Sequence, residues 1–120
     1  MLTLPPSTRV YVATAATDMR RSFDGLMGLV RDFLGGDPLS GHLFVFRNRT
    51  GDRLKVLWWD RDGLAIFYKR LEDGTFAFPM ATGDARQVEM TAADLQLVLQ
   101  GIDPTRVKRA RRYQRPTPPA

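Results

Sequence analysis

Two apolar runs separated by a polar loop dominate the middle of the chain. The runs are Leu43–Phe46 and Leu54–Trp59, and strand-forming residues are abundant in both. The tripeptide Thr50-Gly51-Asp52 between them is typical of a turn. Side chains alternate along a strand, so both faces of the first run are apolar, as in strands that are covered on both sides. The pattern predicts a central aromatic β-hairpin.

The apolar spacing on either side of this hairpin predicts further elements. Alternating residues predict strands at Arg9–Ala13, Thr75–Phe78 and Gln87–Met90. Apolar residues at spacings of three and four predict three helices, although Ile66 and Phe67 in the second one also suit a strand. The predicted helices run from an Asp18 cap to Gly35, over Leu64–Leu71, and from a Thr91 cap to Gly101.

The resulting order of elements is β, α, β, β, α, β, β, α. This order predicts one α+β domain with a mainly antiparallel sheet, the central hairpin and about three helices. A chain of 120 residues suits a single core. We expect the compact domain to span 1–104, followed by a flexible basic tail over 105–120 that ends in a proline-rich segment.

Charge is unevenly distributed between these two parts. The net charge is +5, yet residues 1–105 carry twelve basic and thirteen acidic residues. From Arg106 onward there are six basic residues and no acidic one. A basic tail favours a polyanionic partner, with nucleic acid ahead of a membrane surface, and a merely solvated tail is the alternative.

Several features exclude other classes of protein. The chain has no cysteine, no apolar run of membrane-spanning length and no signal peptide pattern at its start, which predicts a cytoplasmic protein without membrane association. The single histidine, His42, has no catalytic partners in a recognisable pattern. We therefore predict no enzymatic activity, no cofactor and no metal. A metal-dependent nuclease is a remote alternative, and its candidate ligands are Asp18, Asp24, Asp60 and Asp62.

Basic and aromatic residues are better candidates for function. Arg20 and Arg21 lie in the first turn of the predicted first helix, where a cation is unfavourable unless an anion binds. Trp58 and Trp59 are adjacent on one strand, so we expect one ring in the core and the other in contact with a partner. A solvated surface with local ion pairs is the alternative for the cations. The predicted DNA-binding residues are Arg20, Arg21, Arg47, Arg49, Arg53, Lys55, Lys69 and Arg70, together with Arg106, Lys108, Arg109, Arg111, Arg112 and Arg115 in the tail.

Several ungapped segments resemble a known family. They are residues 17–26 (TDMRRSFDGL), 41–49 (GHLFVFRNR) and 54–60 (LKVLWWD), followed by Gly63-Leu64 and Lys69-Arg70-Leu71-Glu72. The chain resembles TnpB, the small accessory protein encoded by the second reading frame of insertion-sequence-66-type transposable elements, and not the RNA-guided nuclease of the same name. The resemblance extends from about Arg9 to Ile102. One departure is Phe78, where the family more often has tryptophan before the proline.

The resemblance implies a bacterial protein that is required for transposition beside a separate DDE-type transposase and a small helix-turn-helix protein. It supplies no catalytic residues. Together with the residues above, it favours a non-catalytic accessory factor whose cations contact DNA or an acidic surface of the transposase. The alternative is a pure protein–protein interaction module of the transposition complex, without DNA contact.

Overall fold

Five strands form one mixed sheet in the computed structural model, which describes residues 5–78 and 83–104. The strands are β1 (Arg9–Ala13), β2 (Leu43–Arg47), β3 (Arg53–Asp60), β4 (Gly63–Arg70) and β5 (Gln87–Thr91). Their spatial order is β4-β3-β2-β1-β5. The pairing of β1 with β2 is parallel, and the other three pairings are antiparallel. The prediction of a single α+β domain is confirmed.

The two apolar runs at the centre of the sequence do pair antiparallel, with Val45 opposite Val56. The prediction of a central aromatic hairpin is not matched, because β3 pairs on both sides and its indole rings do not lie in the core. Strand β4 pairs with β3 along its whole length, so β2, β3 and β4 form a meander. The buried part of β3 runs from Leu54 to Leu57, while Trp58 and Trp59 are only half-buried. The aliphatic residues of β3, rather than its indole rings, fill the core.

The helix predicted over Leu64–Leu71 is wrong, because this segment is strand β4. A two-residue turn at Arg61 and Asp62 reverses the chain, and Arg61 adopts the left-handed φ of 57° that such a turn needs. Strand β4 has apolar packing on both faces, so its apolar residues do not alternate strictly and imitate helical spacing. The alternative interpretation of this run as a strand is therefore correct.

The strand predicted over Thr75–Phe78 is also wrong. The segment has no strand pairing, although Phe76 is buried and packs against the core. The backbone N–H of Phe76 donates to the carbonyl oxygen of Gly51 at 2.9 Å. The segment therefore covers the end of the meander as an irregular chain.

The first helix begins later than its predicted cap. Helix α1 spans Phe23–Gly28 and follows Ser22, so Asp18 is not its N-cap. Asp18 instead forms a turn, in which its carboxylate accepts from the backbone N–H of Arg20 at 2.9 Å. Arg20 and Arg21 consequently precede the helix and do not lie in its first turn.

A π-helical segment, Leu29–Phe33, continues α1. The N–H of Leu34 donates to the carbonyl oxygen of Leu29 at 3.0 Å. A hydrogen bond to the fifth preceding residue is that of a π-helix, whose turn is wider than that of an α-helix. This widening changes which side chains face the sheet. Leu26 and Val30 are fully buried, whereas Phe33 is 38% exposed.

The last helix, α2 (Ala92–Leu99), has the predicted ends. The Thr91 hydroxyl accepts from the N–H of Asp94 at 3.0 Å. At the other end the N–H of Ile102 donates to Leu97 and that of Gly101 to Val98, with Gly101 at a φ of +81°. This is a Schellman motif, which explains why glycine stands there. The structure thus has two helices over the described residues, where the sequence predicted about three.

Each face of the sheet is covered by one of these helices. Helix α2 packs Leu95, Val98 and Leu99 on the face that carries Val10 and Val45. Helix α1 and its π-helical continuation cover the opposite face, which carries Phe44 and Phe46. Neither helix, within the residues described, is long and apolar enough to cross a membrane.

Candidate nucleic-acid interface

Lys55, a predicted DNA-binding residue, lies inside the protein. Its side chain is on the α1 face of β3, and the residue is only 7% exposed. The Nζ atom donates to the carbonyl oxygens of Met19 at 2.8 Å and Arg21 at 2.7 Å. It also lies 4.7 Å from the centre of the Tyr68 ring. Lys55 therefore joins the segment before α1 to the sheet and does not contribute to the cationic surface.

Arg47 and Lys69 are also bonded to the main chain. Arg47 Nη2 donates to the carbonyl oxygen of Thr14 at 2.9 Å, and Lys69 Nζ donates to that of Leu99 at 2.7 Å. Both residues are half-buried. The bond from Lys69 brings a cation to the C-terminal end of α2, where the helix dipole favours it. These two side chains stabilise the connections between elements.

The loop between β2 and β3 is held by its own side chains. The Asn48 amide donates to the carboxylate of Asp52 at 2.7 Å and to the Thr50 hydroxyl at 3.1 Å. Its carbonyl oxygen accepts from the N–H of Arg53. The side-chain hydrogen bond from Asn48, followed in size of effect by that from Thr50, lowers the pKa of Asp52 from its ordinary value. Arg49 is left exposed on a well-organised loop.

Five arginines come from the segment before α1, from the β2–β3 loop and from the paired ends of β3 and β4, and we call them the arginine face. Arg53 is opposite Arg70 in the register of β3 and β4. A cleft of about 470 Å³ lies between residues 16–19 and the loop that carries Arg49. Its walls bring residues 16–19 next to the β2–β3 loop, whereas Arg21 lines a neighbouring cavity with Leu29 and Phe33. The members of the arginine face are Arg20, Arg21, Arg49, Arg53 and Arg70.

Carboxylates neutralise this face only in part. Arg20 Nη2 is 2.7 Å from Asp18, and the side-chain hydrogen bonds from Arg20 lower the pKa of Asp18 to about 2. Arg70 Nη2 is 3.0 Å from Glu72. Arg21 and Arg49 are exposed and form no ion pair with the residues that the structure describes. The arginine face therefore retains two exposed guanidinium groups, those of Arg21 and Arg49, that no described carboxylate pairs with.

The two tryptophans lie on opposite faces of β3 but are buried to a similar degree. Both are half-buried, so the expected contrast between a core ring and an exposed ring does not occur. Trp58 packs against the α2-side core, opposite Ala65, while Trp59 is opposite Leu64. Neither ring is freely exposed.

The candidate metal ligands do not form one site. No group of three or more acidic, histidine or cysteine residues in 5–78 and 83–104 could hold a metal ion. Asp18 lines the cleft beside Arg53 at the start of β3. Asp60 and Asp62 lie at the other end of that strand, about 24 Å away at the rise of an extended chain. His42 has a structural contact, since its Nδ1 accepts from the N–H of Arg9 at 3.0 Å.

The six basic residues of the predicted tail lie outside the described residues. Among the described residues, the sequence interpretation missed the roles of Asn48 in the loop and of Lys55 in the core. A signal for Lys55 was present, because it lies between Leu54 and Val56 in a strand that was predicted to be covered on both faces. No comparable signal identified Asn48.

Comparisons with known proteins show which family and which proteins this sequence is similar to. The sequence model of a family described as IS66 Orf2 like protein matches residues 8–109. The uncharacterized protein y4hO of Sinorhizobium fredii is 45% identical over 103 residues, which cover 86% of this chain and 88% of that protein. The uncharacterized protein y4jC of the same organism is 41% identical over 109 residues, 91% of each chain. No solved structure matches.

Proposed function

Since this chain belongs to the IS66 Orf2-like family, we propose that it is a non-catalytic accessory factor of insertion-sequence transposition that binds DNA phosphates through the arginine face. Such a protein works in the bacterial cytoplasm with the element's DDE-type transposase and its small helix-turn-helix protein. The family description supports the role in transposition, and the arginines support the contact with DNA.

The observation that carries the DNA contact is the attachment of the segment before α1 to the sheet. Lys55 bonds the carbonyl oxygen of Arg21, and residues 16–19 of the same segment form a cleft with the β2–β3 loop that carries Arg49. A guanidinium group can bind two phosphate oxygens at once. Phosphate contacts position a protein on DNA without reading its sequence. We therefore expect binding that is largely independent of sequence.

Arg21 and Arg49 are the strongest candidates within this face. Both are exposed, and neither has an ion pair within the described part of the chain that would have to be broken. Arg20 and Arg70 would have to exchange a carboxylate for a phosphate oxygen. The basic residues after position 105 would add affinity that does not depend on the geometry of the arginine face.

A salt series of DNA binding with the intact chain and with a chain ending at Pro104 tests this proposal. If both chains bind, and affinity falls with a log–log slope of about −0.9 per neutralised phosphate, the arginine face is supported. Binding by the intact chain alone assigns the DNA contact to residues 105–120. If neither chain binds, the DNA proposal fails.

A protein-interaction module is the second candidate, and the half-exposed aromatic surface at the other end of β3 favours it. Trp59 and Leu64 lie opposite each other there, both only half-buried. This function predicts that Trp58→Ala or Trp59→Ala impairs transposition more than the loss of Arg21 and Arg49. It also predicts co-purification with the transposase without DNA.

A further inference from the structure

The two edge strands of the sheet differ in how they are protected. Strand β5 is five residues long, carries Glu89 and leads directly into α2. Strand β4 is eight residues long, and its stretch Gly63–Tyr68 has no charge and no proline. Natural proteins shorten, charge or cover such edges because an open edge pairs with other strands. No strand in the described residues lies along the outer side of β4.

The hydrogen bonds show which backbone groups of β4 face outward. The N–H of Leu71 donates to the carbonyl oxygen of Asp52 at 2.8 Å, in the same register that pairs Arg53 with Arg70. Backbone groups alternate between neighbours along an antiparallel strand, so the odd-numbered residues of β4 bond to β3. The N–H and C=O groups of Leu64, Ile66 and Tyr68 therefore point away from the sheet. Tyr68 is also 48% exposed.

We propose that β4 pairs antiparallel with β4 of a second copy of this chain, which joins two five-stranded sheets into one. A two-fold axis through Ile66 places Leu64 opposite the Tyr68 of the other copy. Three hydrogen-bonded pairs then use the outward groups of both strands. The proposal does not depend on DNA binding.

Charge and strand length favour this register. With Ile66 on the axis, the turn of each copy, which carries Asp62, lies beside Arg70 at the end of the other copy's β4, and these charged ends flank an uncharged centre. A shift by two residues in one direction places Leu64 opposite Arg70. The opposite shift places Tyr68 level with Asp62, beyond the end of the other copy's β4, and so loses one of the three hydrogen-bonded pairs. A shift by one residue would place a residue whose backbone groups point outward opposite a residue whose backbone groups bond to β3. The two copies could then form no regular ladder of hydrogen bonds.

Concentration-dependent hydrogen exchange on the full chain is the direct test. Sedimentation equilibrium should show a dimer, and the amides of Leu64, Ile66 and Tyr68 should gain protection as the dimer forms. The amides of Ala65 and Phe67 should be protected at all concentrations, because they bond to β3. A chain that stays monomeric overturns the proposal. A dimer in which the three outward amides remain unprotected overturns it as well.

Charge reversal gives a second test that leaves the strand backbone intact. Asp62→Arg brings two arginines close together at each end of the paired strands and should weaken the dimer about fivefold. Arg70→Asp should do the same, and the double variant should restore the dimer because the pair is rebuilt with its charges exchanged. Additive weakening in the double variant contradicts the register. Circular dichroism of each variant checks that the fold is retained.

Discussion

The ammonium group of Lys55 lies 2.7 Å from the carbonyl oxygen of Arg21, so a buried cation positions the backbone of an exposed one. The segment that contains Arg20 and Arg21 is irregular and precedes α1, and its attachment depends on such bonds. Thr17 supplies another, since its N–H donates to the carbonyl oxygen of Arg47 at 2.8 Å. The geometry of the arginine face therefore depends on residues that do not belong to it.

Lys55→Met should destabilise the protein. The variant keeps an unbranched side chain but leaves the carbonyl oxygens of Met19 and Arg21 without their donor, which should lower the free energy of unfolding by about 3 kcal/mol. Urea denaturation measures the change. Arg49→Met is the matched control and should change it by less than about 0.5 kcal/mol. Equal stability of the two variants would mean that Lys55 does not hold this segment.

Replacing Arg21 and Arg49 together by glutamine should weaken DNA binding through the loss of phosphate contacts. The log–log slope of affinity against salt should become shallower by about 1.8, because each lost contact accounts for about 0.9. Arg61→Asn is the control, since Arg61 lies at the far end of β3 and asparagine tolerates its left-handed φ. An unchanged slope in the double variant would remove these two residues from the interface.

The carboxyl group of Asp18 should titrate unusually low. Its pKa is lowered from 3.8 to about 2 by the side-chain and backbone hydrogen bonds of Arg20. Because the folded pKa is below the unfolded one, the stabilisation from this pair is fully present above about pH 4 and is lost as the pH falls towards 2. An NMR titration measures the pKa directly. In Arg20→Gln it should return towards 3.8, whereas in Arg70→Gln it should stay at about 2.

Thr91→Ala should shorten or loosen the start of α2. The variant removes the hydroxyl that accepts from the N–H of Asp94, at a cost of about 1 kcal/mol in the free energy of unfolding. Thr91→Ser keeps the acceptor and should retain most of the stability. Urea midpoints of the two variants decide the matter. A serine variant as unstable as the alanine variant would show that the threonine methyl group, and not the cap, is responsible.

Local signals in the sequence predicted the ends of α2 and the pairing of the two central apolar runs. A threonine before an acidic residue and a glycine followed closely by a proline have local physical meaning, so no tertiary information was needed. The assignment of β4 failed because burial on both faces removes the alternation that distinguishes a strand from a helix. The start of α1 failed because Asp18 caps a turn as readily as a helix.

The candidate site was harder to predict than the fold. Counting cations along the sequence grouped Lys55, Arg47 and Lys69 with exposed arginines. The distinction depends on which carbonyl oxygens the fold brings within reach, and these are 30 to 36 residues away in the chain. Long-range contacts of this kind are not encoded in local spacing.

The position of β1 inside the sheet has a consequence for the order in which the protein folds during its synthesis. Val10 pairs with Leu43 on one side and with Met90 on the other, so the second neighbour of β1 is made long after the first. The β2–β3–β4 meander involves short loops and can form early, whereas pairing across such a separation is slow. We therefore expect the nascent chain to leave one edge of β1 unpaired until β5 has been made, so that the meander forms before this side of the core is closed.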